Sequence, residues 1–179
     1  GLVWVKNRTN ARNSMLFDTV RGVNQEIATQ STSAENDNTS LNQTFTSTGF
    51  TFNTSNLDVN SSSYDYASWS FRKAPGFFTI KQYTGSGSTQ SLTHDLGSIP
   101  SCIMVKRTDS SANWGVYHRG QNGGVDPEDY RLRLNSSTTE NNDTYWGDTA
   151  PTATHFTVGD AHNEVNLSGA TYIAYIFGG

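Results

Sequence analysis

Cysteine is almost missing from this chain: Cys102 stands alone among 179 residues, which excludes an intrachain disulfide and a cysteine zinc cluster. Proline is scarce, with 4 residues. No apolar run approaches the roughly 20 residues that a membrane-spanning helix needs, and no membrane insertion is expected. Charge is sparse too, at 16% of residues, and the formal net charge is −4. That balance argues against nucleic acid, whose binders carry a basic face. Ser, Thr, Asn, Gly and aromatic residues fill the space, a composition that favours strands joined by polar turns. The length suits one domain with room for a core.

What is present is a repetition. Gly1-Leu2-Val3-Trp4-Val5-Lys6 is answered by Ser101-Cys102-Ile103-Met104-Val105-Lys106, and Tyr66-Ala67-Ser68-Trp69-Ser70-Phe71 by Tyr172-Ile173-Ala174-Tyr175-Ile176-Phe177. Val5 and Val105, Asn13 and Asn113, and Phe17 and Tyr117 match at an offset of 100. Phe50 and Phe156, Val59 and Val165, Asn60 and Asn166, and Tyr66 and Tyr172 match at an offset of 106. The second copy therefore carries six more residues between the positions of Gly22 and Thr48, as expected of a loop. Two copies are too few for a solenoid. The expectation is one domain over 1–179: a repeat half 1–73, a connecting hairpin 74–100, and a repeat half 101–179.

Hydrophobic pattern places strands at Leu2 to Lys6, Met15 to Arg21, Gly49 to Asn53, Tyr64 to Arg72, Ile103 to Arg107, Trp114 to Arg119, Tyr130 to Leu134, Phe156 to Val158 and Tyr172 to Phe177. Leu2 to Lys6 is apolar on both faces, as a strand inside a sandwich should be. In Tyr130 to Leu134 the alternation puts Arg131 and Arg133 on one face. Gln30 to Gln43 reads as a long surface loop. Phe77 to Thr84 and Ser91 to Leu96 read as a strand pair around Gly85-Ser86-Gly87-Ser88. The fold class is all-β, a jelly-roll-like β-sandwich built from two homologous halves closing on one shared interior. Trp69 and Tyr175 are expected in equivalent surroundings. Cys102, aligned with Leu2, is expected in the core as a small hydrophobe.

Three segments carry a family likeness: "GLVWVKNRTNARNSMLFDTVRG", "GFFTIKQYTGSGSTQSLTHDLGSIPSCIMVKRTDSSANWGVYHR", and "HFTVGD" with "VNLSGATYIAYIFGG". Over nearly its whole length the chain resembles a domain of tail-fibre and related virion proteins of marine bacteriophages, including cyanophages. The resemblance implies a virion location, on tail fibre or capsid surface, in a non-enzymatic host-attachment or receptor-binding role. It also implies homo-oligomers, with trimers the expectation, and other virion proteins as partners. A capsid decoration or head-fibre protein is the alternative. His94-Asp95-Leu96-Gly97-Ser98-Ile99-Pro100 leads into the second copy without a counterpart before the first, so the chain is expected to be part of a longer virion polypeptide.

The residues themselves supply no catalytic set. His94, His118, His155 and His162 have no zinc spacing, and no His-Glu-x-x-His pattern occurs. The acidic stretches Asp126 to Asp129 and Glu35 to Asn38, and Asp143 with Asp148, lack EF-hand spacing and read as solvated turns. No cofactor and no metal is expected. A carbohydrate-active enzyme would need two carboxylates at fixed separation, which spacing along the chain does not reveal. Trp114 and the run Tyr145, Trp146, Asp148 place aromatic rings among amides and carboxylates, the chemistry that binds sugars. They are the candidate ligand-binding residues, for a host surface glycan or protein; the competing reading has both tryptophans closing the end of the sandwich. Eight Asn-x-Ser/Thr patterns follow from composition. Asp58-Val59-Asn60 and Glu164-Val165-Asn166 are expected to build turns through side-chain to backbone bonds.

Overall fold

Both copies share a three-strand core in a computed structural model that describes residues 1–179. The first contains β1 (Leu2–Asn7), β2 (Ser14–Asp18), β3 (Gln25–Ala28), β4 (Asn36–Asp37), β5 (Gln43–Phe45), β6 (Phe50–Phe52) and β7 (Tyr66–Phe71). The connecting segment contributes β8 (Phe78–Thr84) and β9 (Gln90–Thr93). The second contains β10 (Cys102–Arg107), β11 (Gly115–His118), β12 (Tyr130–Arg131), β13 (Asn141–Asn142), β14 (His155–Val158) and β15 (Thr171–Phe177).

One antiparallel sheet has the order β4-β3-β2-β1-β7 and the other β11-β10-β15-β8. In the first, three successive strands are joined by β7 returning beside β1, which is a Greek key. The second half repeats it, with a bridge from Val116 to Leu132 in place of the third strand. Register repeats to the residue. Trp4 faces Leu16 and Trp69 across its two neighbours, and Met104 faces Val116 and Tyr175. The chain is thus an all-β sandwich of jelly-roll type, made of two homologous halves.

Alternation along the strands explains the layering. One face of each repeated unit turns inward and meets the other half. Leu2, Leu16 and Ile27 pack there against Phe78, Ile80, Met104, Trp114, Val116, Ile173 and Tyr175. The opposite faces carry separate cores. Val3, Val5, Met15 and Phe17 are covered by Leu41, Val59 and the β5–β6 hairpin. Ile103, Val105 and Tyr117 are covered by Phe156, Val158, Tyr145, Trp146 and Val165. The expected single interior is therefore three apolar layers, because strands apolar on both faces need cover on both.

The connecting segment also departs from expectation. β8 and β9 do not pair with each other: β8 extends the second sheet along β15, while β9 pairs with β14. The Gly-Ser turn between them is pinned, not free. Gly85 sits so close to Leu167 O that a Cβ would lie 2.2 Å from it. Nothing equivalent to β8 covers β7, so Trp69 remains 50% exposed where its counterpart Tyr175 is 0%. Their places in the ladder match; their surroundings do not.

β2 stops at Asp18 because the Asp18 carboxylate accepts the N–H groups of Val20 and Arg21, both at 2.9 Å, which turns the chain early. Gln30 to Gln43 is only partly surface: Leu41 and Gln43 are buried, and Thr32 O accepts a hydrogen bond from Ala112 N of the second half. Cys102 is half-buried against the central layer, and burial raises its thiol pKa to about 11. Each half closes with one device. The Tyr66 hydroxyl accepts from Ser61 N–H and donates to Leu57 O; the Tyr172 hydroxyl accepts from Leu167 N–H and donates to Asn163 O. This resembles the tyrosine corner that locks other β-sandwiches.

Candidate functional site

Trp114, Tyr145, Trp146 and Asp148 do not form one open site. Trp114 is fully buried in the layer between the halves, 6.2 Å from the ring centre of Tyr175, with Nε1 donating to Ala28 O at 3.2 Å. Tyr145 and Trp146 form a 3₁₀ turn, Thr144–Trp146, and are buried in the outer core of the second half. Trp146 meets Tyr117 edge to face at 5.9 Å. Asp148 lies on the adjoining exposed turn with φ of 46°. No ring face of the two tryptophans is free for a sugar. The physical reason is area: aromatic side chains stabilise most when covered, and here they close the sandwich.

Tyr145 does lie beneath a polar basin that spacing alone left unassembled. Arg131 stacks its guanidinium 5.1 Å from the centre of the Tyr145 ring, and His162 lies 4.6 Å from that ring. Arg131 Nε donates to Asp143 Oδ2 at 2.8 Å, which leaves its terminal nitrogens without a protein partner. Arg133 Nη2 donates to Glu164 Oε1 at 2.8 Å and to the Tyr145 hydroxyl at 3.2 Å. Arg131, Arg133, Thr138, Thr139 and Asn141 line a concavity of about 310 Å³ with no apolar residue in its wall. That volume lies at the lower end for small-molecule sites.

Electrostatics favour the charged form of Arg133. Burial pulls the Glu164 carboxyl upward, yet hydrogen bonds from Asn113 and Tyr145, helped by the Arg133 charge, bring it below the usual range. Burial also lowers Arg133, but the Tyr145 hydroxyl and Glu164 outweigh it and hold it raised. Tyr145 is raised to about 12, chiefly by burial. The basin thus offers guanidinium nitrogens, hydroxyls and an amide, a donor-rich set for carboxylate, sulfate or sugar hydroxyls. The alternation at Tyr130 to Leu134 was the signal available in sequence, since it set both arginines on one side. Only Tyr130–Arg131 is strand, and Leu132 bridges to Val116.

No three of His, Cys, Asp and Glu come together in a metal-ligand cluster. Asp143 is held by Arg131, and Glu35 by Arg21. No helix is long and apolar enough to cross a membrane.

The fold is a double Greek-key sandwich with a donor-lined basin, and one family model matches the chain over its full length. All of residues 1–179 match the model of a domain of unknown function, DUF7483, and the chain belongs to that family. No curated protein and no solved structure matches it.

Proposed function

We propose that this chain is a non-enzymatic attachment domain of a virion, which binds an anionic saccharide of a host surface in the Arg131–Arg133 basin. The observation that carries the reading is the pairing of two anchored arginines with Thr138, Thr139 and Asn141 around one open concavity. Rigid scaffolds that display recognition on loops are a common solution for binding. Arg131 presents two free nitrogens at a spacing that suits a carboxylate or sulfate. The resemblance to phage fibre proteins supplies the setting, and several copies per particle would raise a weak single-site affinity through avidity.

Binding of the protein to purified host envelope polysaccharide, and to uronate- and sulfate-bearing oligosaccharides, tests this by calorimetry or surface immobilisation. Binding that weakens with added salt and falls about tenfold or more in Arg131→Gln supports it, since charge-assisted hydrogen bonds contribute roughly 1.5–3 kcal/mol. Absence of binding to every acidic saccharide, at low salt and high valency, overturns it in favour of a decoration role. Release of reducing sugar would instead favour a carbohydrate-active enzyme.

A further inference from the structure

The two halves are built alike but finished differently, and the difference leaves one strand edge bare. In the second half β15 is flanked by β10 and β8. In the first half the equivalent β7 has β1 on one side and nothing on the other. Arg8 N donates to Asp65 O, so the residues bonded to β1 are Ala67, Trp69 and Phe71. Tyr66, Ser68 and Ser70 therefore turn their backbone N–H and C=O groups outward. Their counterparts Tyr172, Ala174 and Ile176 meet Tyr83, Lys81 and Thr79 of β8.

Exposed sheet edges are normally guarded by charge, proline or brevity. β4 is two residues long and carries Asp37, β8 carries Lys81, and β11 is bridged by Leu132. β7 reads Tyr-Ala-Ser-Trp-Ser-Phe, six residues without charge or proline. Apolar surface accompanies it: Trp69 is 50% and Phe77 49% exposed, and Trp69 stands 6.0 Å from Trp4 in a tilted aromatic pair. On its other face Ser70 borders a concavity of about 510 Å³ with Val3, Phe45 and Gly49.

We infer that the β7 edge is a strand-docking site, which takes from a separate polypeptide an antiparallel segment with the chemistry of β8. Such a segment alternates large apolar residues with polar ones, as Phe78-Thr79-Ile80-Lys81 does. The second half shows the fit: Phe78 and Ile80 face Phe177 and Tyr175, while Thr79 and Lys81 face Ile176 and Ala174. Transferred to β7, the apolar positions lie against Phe71 and Trp69 and the polar ones against Ser70 and Ser68. Main-chain bonds give this mode its affinity and the alternate side chains its selectivity.

The probe is a capped peptide with the sequence of residues 77–84, added to the whole chain while amide exchange is followed by NMR. Exchange at Ser68 and Ser70 is expected to slow about tenfold or more at saturation, with a blue shift of Trp69 emission that Trp69→Phe abolishes. N-methylation of the peptide at the positions of Thr79, Lys81 and Tyr83 removes the groups that face the edge and is expected to abolish binding. Methylation at those of Ile80 and Gln82 leaves it. This control needs no variant of the protein. Ser68→Pro, which deletes an outward N–H and is tolerated on an edge, is expected to weaken binding about five- to tenfold. No protection at millimolar peptide, or binding indifferent to which amides are methylated, overturns the proposal. Concentration-dependent protection of Ser70 without peptide, lost in Ser68→Pro, overturns it by giving the edge to a second copy.

Discussion

The Tyr175 hydroxyl donates to Asp18 Oδ2 at 2.8 Å, so the last strand of the second half is bonded to the end of β2 in the first. Asp18 also holds Arg21 Nε, and Arg21 Nη1 reaches Glu35 at 2.8 Å. Arg21 and Asp18 side chains are 1% and 0% exposed. Burial pulls the Arg21 pKa down, but the neighbouring Tyr175 hydroxyl and Asp18 carboxylate, with hydrogen bonds to Glu35 and Asp18, carry it above its ordinary value. Sequence spacing gave no sign of this network, since its members lie up to 157 residues apart.

Breaking that network should weaken the joint between the halves. Asp18→Ala leaves Arg21 buried without its main partner and is expected to destabilise by about 3–5 kcal/mol. Tyr175→Phe removes one donor from a carboxylate that keeps three others and should cost about 1–2 kcal/mol. Urea unfolding measures both, and equal costs would contradict the order.

Lys106 gives a pH signature. Its side chain is buried, and its ammonium donates to the carbonyls of Thr32, Arg107 and Ala112. Burial, then the Arg107 charge, lower its pKa from 10.5 to about 8. Between those values the unfolded chain keeps a proton that the folded chain has released, so stability rises with pH across this window. Burial raises Tyr83, Tyr172 and Tyr175, so above about 10 the unfolded chain ionises first and stability falls. Melting temperature should climb above pH 8 and turn over near 10. In Lys106→Met the climb is expected to vanish while the turnover stays.

Asn60 and Asn166 occupy matching places with different stakes. Asn166 is 0% exposed; its Nδ2 donates to Ser88 and Gly159 carbonyls, and its Oδ1 accepts from Ser86 N and Gln90 Nε2. Asn60 is exposed and bonds Phe52 O and Thr54 O. Asn166→Ala should cost about 2–4 kcal/mol, because a fully buried side chain with four hydrogen-bond partners is lost, and Asn60→Ala about 0.5 kcal/mol. Thermal melts of the two variants compare them directly.

Gly115 stands where the first half has Met15. A Cβ there would lie 2.7 Å from Val165 Cγ1, so Gly115→Ala should destabilise by about 1–3 kcal/mol. Adding Val165→Ala should recover part of that loss. A double-mutant cycle with no coupling would refute the contact.

Much of the fold was legible because repetition cross-checks itself. The offsets of 100 and 106 match Trp4 to Met104 and Trp69 to Tyr175, and the two pairs Trp4–Trp69 and Met104–Tyr175 occupy the same place in their ladders. The connecting segment was not legible, since two strands around a Gly-Ser turn look like a hairpin whether they pair together or, as β8 and β9 do, with β15 and β14. The turn-forming role of Asn60 and Asn166 could be read from the acid-Val-Asn triplets, though not the burial of one alone. The aromatic candidates misled for a related reason. Polar neighbours in sequence do not expose a ring: Asn141 and Asp143 lie at the rim while Tyr145 and Trp146 turn under it. Arg131 and Arg133 were visible as one face; their anchors Asp143 and Glu164, 12 and 31 residues away, were not.

The layer of Leu16, Ile27, Trp114, Ile173 and Tyr175 between the halves makes each the lid of the other. Cut between Lys73 and Ala74, the chain would give two fragments, each with its own outer core intact and one greasy wall laid open to water. Neither piece would be a tidy minidomain; mixed together, they should reassemble as a split protein.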